Sequence, residues 1–210
     1  MIIKICGMRD GDNIRALEKL DIDWMGFIFY PESPRYVSDD NDRIAAIQSC
    51  SKVKVGVFVN EQIEVILQKM ATYRLDFVQL HGDEPPEFCR RLKERGYKII
   101  KVFSTASEKD LVQTAAYEPF VDYFLFDTKD NKRGGTGIRF DWSVLKAYRG
   151  NTPFLLSGGI DIKHIEELNA FNHPMMAGID LNSRFELSPA VKDIALIDSF
   201  VRRFKGIEKS

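Results

Sequence analysis

The sequence predicts a closed (β/α)8 barrel, the TIM-barrel class of α/β fold, built as a single domain over residues 1–210. Three observations carry this expectation. Eight short runs are rich in β-branched and aromatic residues, a charged amphipathic stretch follows each one, and the connections between them are short. The expected strands fall at 2–7, 24–30, 53–60, 77–82, 99–104, 123–128, 154–159 and 178–183. Strict alternation with helices argues for parallel strands, and eight such units can close so that no sheet edge is left open. Barrels of this class run to about 250 residues, so a chain of 210 calls for a compact version with short helices. An open doubly wound sheet is the rival, but no Gly-x-Gly-x-x-Gly fingerprint follows the first strand.

The expected helices occupy 10–20, 42–50, 61–73, 85–95, 107–116, 142–148, 162–169 and 190–204. In the third, Ile63, Ile66, Leu67 and Met70 recur at three and four, the spacing of one helical face. Pro85 and Pro86 open the fourth, where a missing N–H costs little, and Gly96 closes it.

Composition narrows the function. Lys and Arg number 30 against 31 for Asp and Glu, so the net charge is −1 and the basic excess expected of a nucleic-acid binder is missing. No apolar run approaches the roughly 18 residues that cross a bilayer, and no export signal precedes the first strand. Cys6, Cys50 and Cys89 are odd in number and form no Cys-x-x-Cys pair, which disfavours a disulfide framework or zinc site and suits a reducing cytoplasm.

In a closed barrel, side chains alternate between lumen and helix layer, and chemistry gathers where the strands end. Lys4 and Cys6 share the face opposite Ile3 and Ile5, so they point into the barrel. Asp127 lies near the end of the sixth strand, facing opposite to Phe126; Asp180 and Asn182 share a face in the eighth, as do Gln79 and His81 in the fourth. Taken singly, each has a plain reading: a strand cysteine packs a core, and an Asp after a strand caps a helix. Together they put several polar groups at one mouth, an arrangement that costs about 1–3 kcal/mol for each unsatisfied group and therefore points to a ligand.

A second group suits phosphate. The seventh strand runs into Ser157-Gly158-Gly159 and the eighth into Asn182-Ser183, and glycines after a strand let backbone N–H groups approach an anion. Barrels of this class often hold phosphate between the loops after strands seven and eight. The stretch 128–140, with Arg133-Gly134-Gly135-Thr136-Gly137, reads equally as a flap over the site or as a solvated connection, and Arg35 lies in the loop after the second strand.

These segments resemble phosphoribosylanthranilate isomerases along nearly the whole chain. The likeness is carried by Lys4-Ile5-Cys6-Gly7, Ser33-Pro34-Arg35-Tyr36-Val37, Gln79-Leu80-His81-Gly82, Phe126-Asp127, Gly134-Gly135-Thr136-Gly137, Ser157-Gly158-Gly159-Ile160 and Gly178-Ile179-Asp180-Leu181-Asn182-Ser183, in that order. The resemblance implies an Amadori rearrangement of a phosphorylated small molecule without metal or organic cofactor. It makes Cys6 the general base and Asp127 the general acid. Arg35 then meets the anthranilate carboxylate, Asp180 holds the substrate near its amino group, and Gly158, Gly159, Asn182 and Ser183 cradle the phosphate. Lys4, on the same strand face as Cys6, is expected to raise its thiolate fraction. Where the family often has Gly after the Asn-Ser pair, this chain has Arg184.

The alternatives are another phosphate-binding barrel isomerase or epimerase, or an inactive barrel used for binding. The related isomerase of histidine synthesis carries Asp where this first strand ends in Cys6. A metal-dependent epimerase needs clustered ligands, whereas only His81, His164 and His173 are present, the last two outside the strands. Monomer and homodimer are both open.

Overall fold

The structure is a computed structural model that describes residues 1–128 and 141–207. Eight parallel strands close into a barrel in the order β1 to β8. They are β1 (Ile2–Ile5), β2 (Trp24–Ile28), β3 (Val53–Phe58), β4 (Phe77–Leu80), β5 (Lys98–Thr105), β6 (Tyr123–Thr128), β7 (Phe154–Leu156) and β8 (Met176–Leu181). Each expected strand is present, most ending two or three residues early, so that Cys6, His81 and Asn182 lie just beyond a strand rather than inside one.

The α-helices among the described residues are α1 (Gly11–Glu18), α2 (Asn41–Ser49), α3 (Ile63–Tyr73), α4 (Pro86–Lys93), α5 (Ile165–Ala170) and α6 (Ile194–Phe204). Carboxylates start several of them. Asp10, Asp40 and Asp193 accept from the backbone N–H three residues on, at 2.9, 2.9 and 3.0 Å, satisfying donors that the first turn leaves free. Pro86 takes the first turn of α4. The expected helices at 107–116 and 142–148 are instead 3-10 segments, Glu108–Ala116 and Trp142–Ala147. A 3-10 turn rises about 2.0 Å per residue against about 1.5 Å for an α-turn, so a short chain spans the barrel height with fewer residues.

Side-chain parity divides the core. Ile3, Ile5, Phe27, Val78 and Phe126 pack outward against the helices, while Val55, Ile100, Val102, Leu125 and Leu155 fill the lumen. At the amino-terminal end, Trp24, Phe77 and Tyr123, the first residues of β2, β4 and β6, form an aromatic layer, with Trp24 stacked on Phe77 at 4.8 Å and edge-on to Tyr123 at 5.2 Å. Contributions from alternate strands are the layering expected of such a barrel. This plug closes one end and leaves polar groups to the other.

One element was not expected. After β8, a 3-10 turn (Ser183–Phe185) leads into an antiparallel pair, β9 (Glu186–Ser188) and β10 (Val191–Lys192). Asn13 of α1 holds this pair through both backbone groups of Lys192, at 2.8 and 3.0 Å.

Candidate active site

The site begins at the seam where the first strand meets the last. Lys4 and Asp180 are register partners across β1 and β8, and their side chains form an ion pair of 2.9 Å inside the lumen. Both are buried, and this pairing offsets part of the loss of water around two charges. Burial pushes the Asp180 carboxyl up, with Lys4 opposing only in part. Burial also pulls the Lys4 ammonium down, but Asp180 and Cys6 together hold it above the ordinary lysine range.

Cys6 follows directly, beyond the end of β1 and buried. Gly26 of β2 makes room for it: a Cβ there would lie 2.7 Å from the sulfur and 3.1 Å from the Cys6 Cα. Burial pushes the thiol up; Lys4, hydrogen-bonded to it, and Lys192 pull it down without cancelling that effect. The expected influence of Lys4 is therefore present, but desolvation outweighs it, and the resting group is a thiol rather than a thiolate.

Across the mouth, Asp127 lies on the parity that faces away from Phe126, as expected. Its carboxylate is 3.6 Å from His81 Nε2, and both side chains are about a third exposed. The Gln79 amide approaches His81 Nδ1 at 3.4 Å, which favours the tautomer with its proton on Nε2, toward Asp127. Asp180 feels both Asp127 and His81, so it links this pair to the Lys4–Cys6 side. The loop carrying His81 is fixed from behind by Glu84, which accepts from the Asn60 and Gly82 N–H groups and pairs with the buried Lys101 at 2.8 Å.

Arg35 reaches the same rim but already has an anion. Its guanidinium forks onto Glu186, Nε to Oε1 at 2.9 Å and Nη2 to Oε2 at 2.6 Å. Lys192 Nζ donates to the same Oε1 at 2.7 Å and to Asn182 Oδ1 at 2.8 Å. Gly7 lets these groups converge, since a Cβ at this position (φ +79°) would lie 2.6 Å from Arg35 Cδ and 2.8 Å from Asn182 Oδ1. Glu186 and Lys192 escaped the sequence reading because they sit on the unexpected strand pair. Gly26 carried a usable signal, because a glycine inside a strand often marks close approach of another group.

Gly158 and Gly159 adopt φ of +88° and +68°, a conformation that side chains disfavour, and thereby turn the backbone after β7. Asp161 caps the turn that follows, so an anion here would rely on the glycine backbone rather than on a free helix start. Ser183 opens the turn after β8, beside Asn182, and Arg184 is exposed. The segment 129–140, read equally as a flap or as a solvated connection, lies outside the described residues.

Among the described residues no group of three or more His, Cys, Asp or Glu could hold a metal ion, and no helix is long and apolar enough to cross a membrane. Residues 3–203 match the family described as N-(5'phosphoribosyl)anthranilate (PRA) isomerase. The chain belongs to that family. A phosphoribosylanthranilate isomerase of Phocaeicola vulgatus is 51% identical over 205 residues, covering 98% of each protein. One of Parabacteroides distasonis is 50% identical, covering 97% of this chain and 93% of that one. The crystal structure of the Thermotoga maritima phosphoribosylanthranilate isomerase superposes with a TM-score of 0.83 at 33% identity, covering 98% of this chain and all of that one. The span matched to the isomerase family contains every residue gathered at the mouth, from Lys4 to Lys192.

Proposed function

We propose that the protein converts N-(5'-phosphoribosyl)anthranilate into 1-(2-carboxyphenylamino)-1-deoxyribulose 5-phosphate by general acid–base catalysis. The observation that carries this reading is the meeting of Cys6 and Asp127 at one barrel mouth, with Asp180 in electrostatic contact with both. A structural neighbour with a TM-score of 0.79 and 31% identity was solved in complex with reduced 1-(o-carboxyphenylamino)-1-deoxyribulose 5-phosphate, which supports a phosphorylated occupant of this kind.

The chemistry follows from the groups present. Asp127, as the general acid, gives a proton to the ribose ring oxygen as the C1′–O bond breaks, leaving an iminium between C1′ and the anthranilate nitrogen. That iminium acidifies the C2′ proton, which the Cys6 thiolate removes. The resulting enolamine gains a proton at C1′ and gives up its 2′-hydroxyl proton as it becomes the ketone. Asp180 holds the substrate near its amino group, and Arg35 meets the ring carboxylate. The backbone at Gly158-Gly159 and Asn182-Ser183 receives the phosphate, a role suited to the positive φ of the two glycines. All these residues come from one chain, so monomer and homodimer alike would carry a whole site. We place the enzyme in the cytoplasm, where its three free thiols stay reduced.

The test is a fluorescence assay that follows consumption of phosphoribosylanthranilate by the purified protein. Loss of substrate fluorescence in proportion to enzyme supports the reading. No turnover refutes it.

A further inference from the structure

The inference rests on the proposed role of Arg35 toward the ring carboxylate. Two cations, Arg35 and Lys192, share a single carboxylate, that of Glu186. The side chains of Arg35, Glu186 and Lys192 are 12%, 5% and 0% exposed, so water does little of the compensation. The trio carries one positive charge in surplus, while the adjoining Lys4–Asp180 pair is balanced. The scaffold under Glu186 and Lys192 is fixed. Glu186 Oε1 also accepts from the Ala190 N–H at 3.2 Å, and Asn13 clamps the Lys192 backbone. Arg35, by contrast, arrives on a loop and meets Glu186 side-on, through Nε and Nη2 of its guanidinium.

We propose that Glu186 and Lys192 form an exchange couple for Arg35, in which Glu186 holds the guanidinium until the substrate carboxylate takes its place, making both of them positioning residues for substrate recognition. The carboxylate of Glu186 occupies the guanidinium fork as the substrate carboxylate will. When Arg35 turns to the substrate, Glu186 keeps Lys192 and the Ala190 N–H, so no buried anion is stranded. Lys192 is what makes the release affordable: without it, Arg35 is the sole cation on Glu186 and can leave only by abandoning a buried charge. The surplus positive charge thereby comes to face the incoming anion. Burial pulls the Lys192 ammonium down, and Glu186 opposes this only in part.

The experiment compares KM for phosphoribosylanthranilate with KM for the phosphoribosylaniline analogue, which lacks the ring carboxylate. Wild type, Lys192→Met, Glu186→Gln, the double variant and Arg35→Ala are measured. Lys192 also acts on Cys6, so kcat falls for both compounds alike in Lys192→Met, and the ratio of KM for the analogue to KM for phosphoribosylanthranilate isolates the carboxylate. In Lys192→Met that ratio shrinks about tenfold, the weight of a charged hydrogen bond. In Glu186→Gln and in the double variant, where Arg35 has no buried anion to abandon, it stays within about threefold of wild type. Equal KM changes for both compounds in Lys192→Met, or a ratio in Glu186→Gln as low as in Lys192→Met, overturn the exchange couple. The double variant buries neither charge, and if only it folds, a ratio collapsed to that of Arg35→Ala overturns the proposal just as well. An Arg35→Ala protein that treats the two compounds as wild type does shows instead that Arg35 does not read the carboxylate, and the functional reading beneath the couple fails with it.

Discussion

Replacing Gly26 by alanine tests whether the Cys6 thiol reacts or merely packs. The added methyl would sit 2.7 Å from the Cys6 sulfur and 3.1 Å from its Cα. Ordinary contact between such atoms is about 3.5–4.0 Å, so the sulfur must move by about 1 Å or the two strands must part. Position 26 lies in a strand without positive φ, which leaves sterics as the whole cost. Overpacking of this kind destabilises by about 1–3 kcal/mol. For a chain of this size each kcal/mol lowers Tm by about 2–4 °C, giving an expected drop of about 2–12 °C by differential scanning calorimetry. If the thiol is the base, a displacement of about 1 Å also lowers kcat by about 10²-fold. In a Cys6→Ser background the same replacement should cost no further kcat, because the group it disturbs is already lost. A Gly26→Ala enzyme that melts lower but keeps kcat within about threefold of wild type would refute the catalytic reading of Cys6.

Other outcomes follow from the same geometry. Cys6→Ser and Asp127→Asn should each lower kcat by at least about 10²-fold with little change in Tm, and a Cys6→Ser enzyme retaining more than about a tenth of kcat would leave the thiol as packing. Because burial raises the Cys6 thiol and the reaction needs its thiolate, kcat/KM should climb with pH toward a midpoint above the free-thiol value of about 8.5; a midpoint below about 8 contradicts this. The same sign makes all three buried thiols favour the fold below about pH 8.5, and that stability is lost as pH rises through their folded values, to about 12 for Cys89. Denaturant midpoints measured from pH 8 upward should fall less steeply in Cys89→Ala. Gly158→Val forces a β-branched residue into φ +88°, a strain of about 1–3 kcal/mol in the loop assigned to phosphate. KM should rise more than kcat falls, and an unchanged KM argues against that loop.

The barrel could be read from the sequence because its signals are local. Alternation of Ile3 and Ile5 with Lys4 and Cys6 fixed which side chains face inward, and the same parity placed Asp127 and Asp180 at the mouth. What escaped depends on contacts made over long separations. The Arg35–Glu186 pair joins residues 151 apart, on a loop and a three-residue strand. Pro189 interrupts that strand pair before any alternation can build, so its only local sign was polarity. The competition between Lys4 and burial at Cys6 likewise turns on how deeply the thiol sits, which spacing along β1 does not encode.

The seam between β1 and β8 has a consequence for how the chain is born. Lys4 leaves the ribosome 176 positions ahead of Asp180. Throughout that interval β1 has an unpaired edge, and the charge on its inward face discourages stray strands from docking there. Only the arrival of the last strand neutralises this guard, and the same event brings Asp180 beside Cys6. A nascent chain halted before β8 is therefore protected from mispairing and catalytically silent for one and the same reason, and the onset of turnover during synthesis reports ring closure.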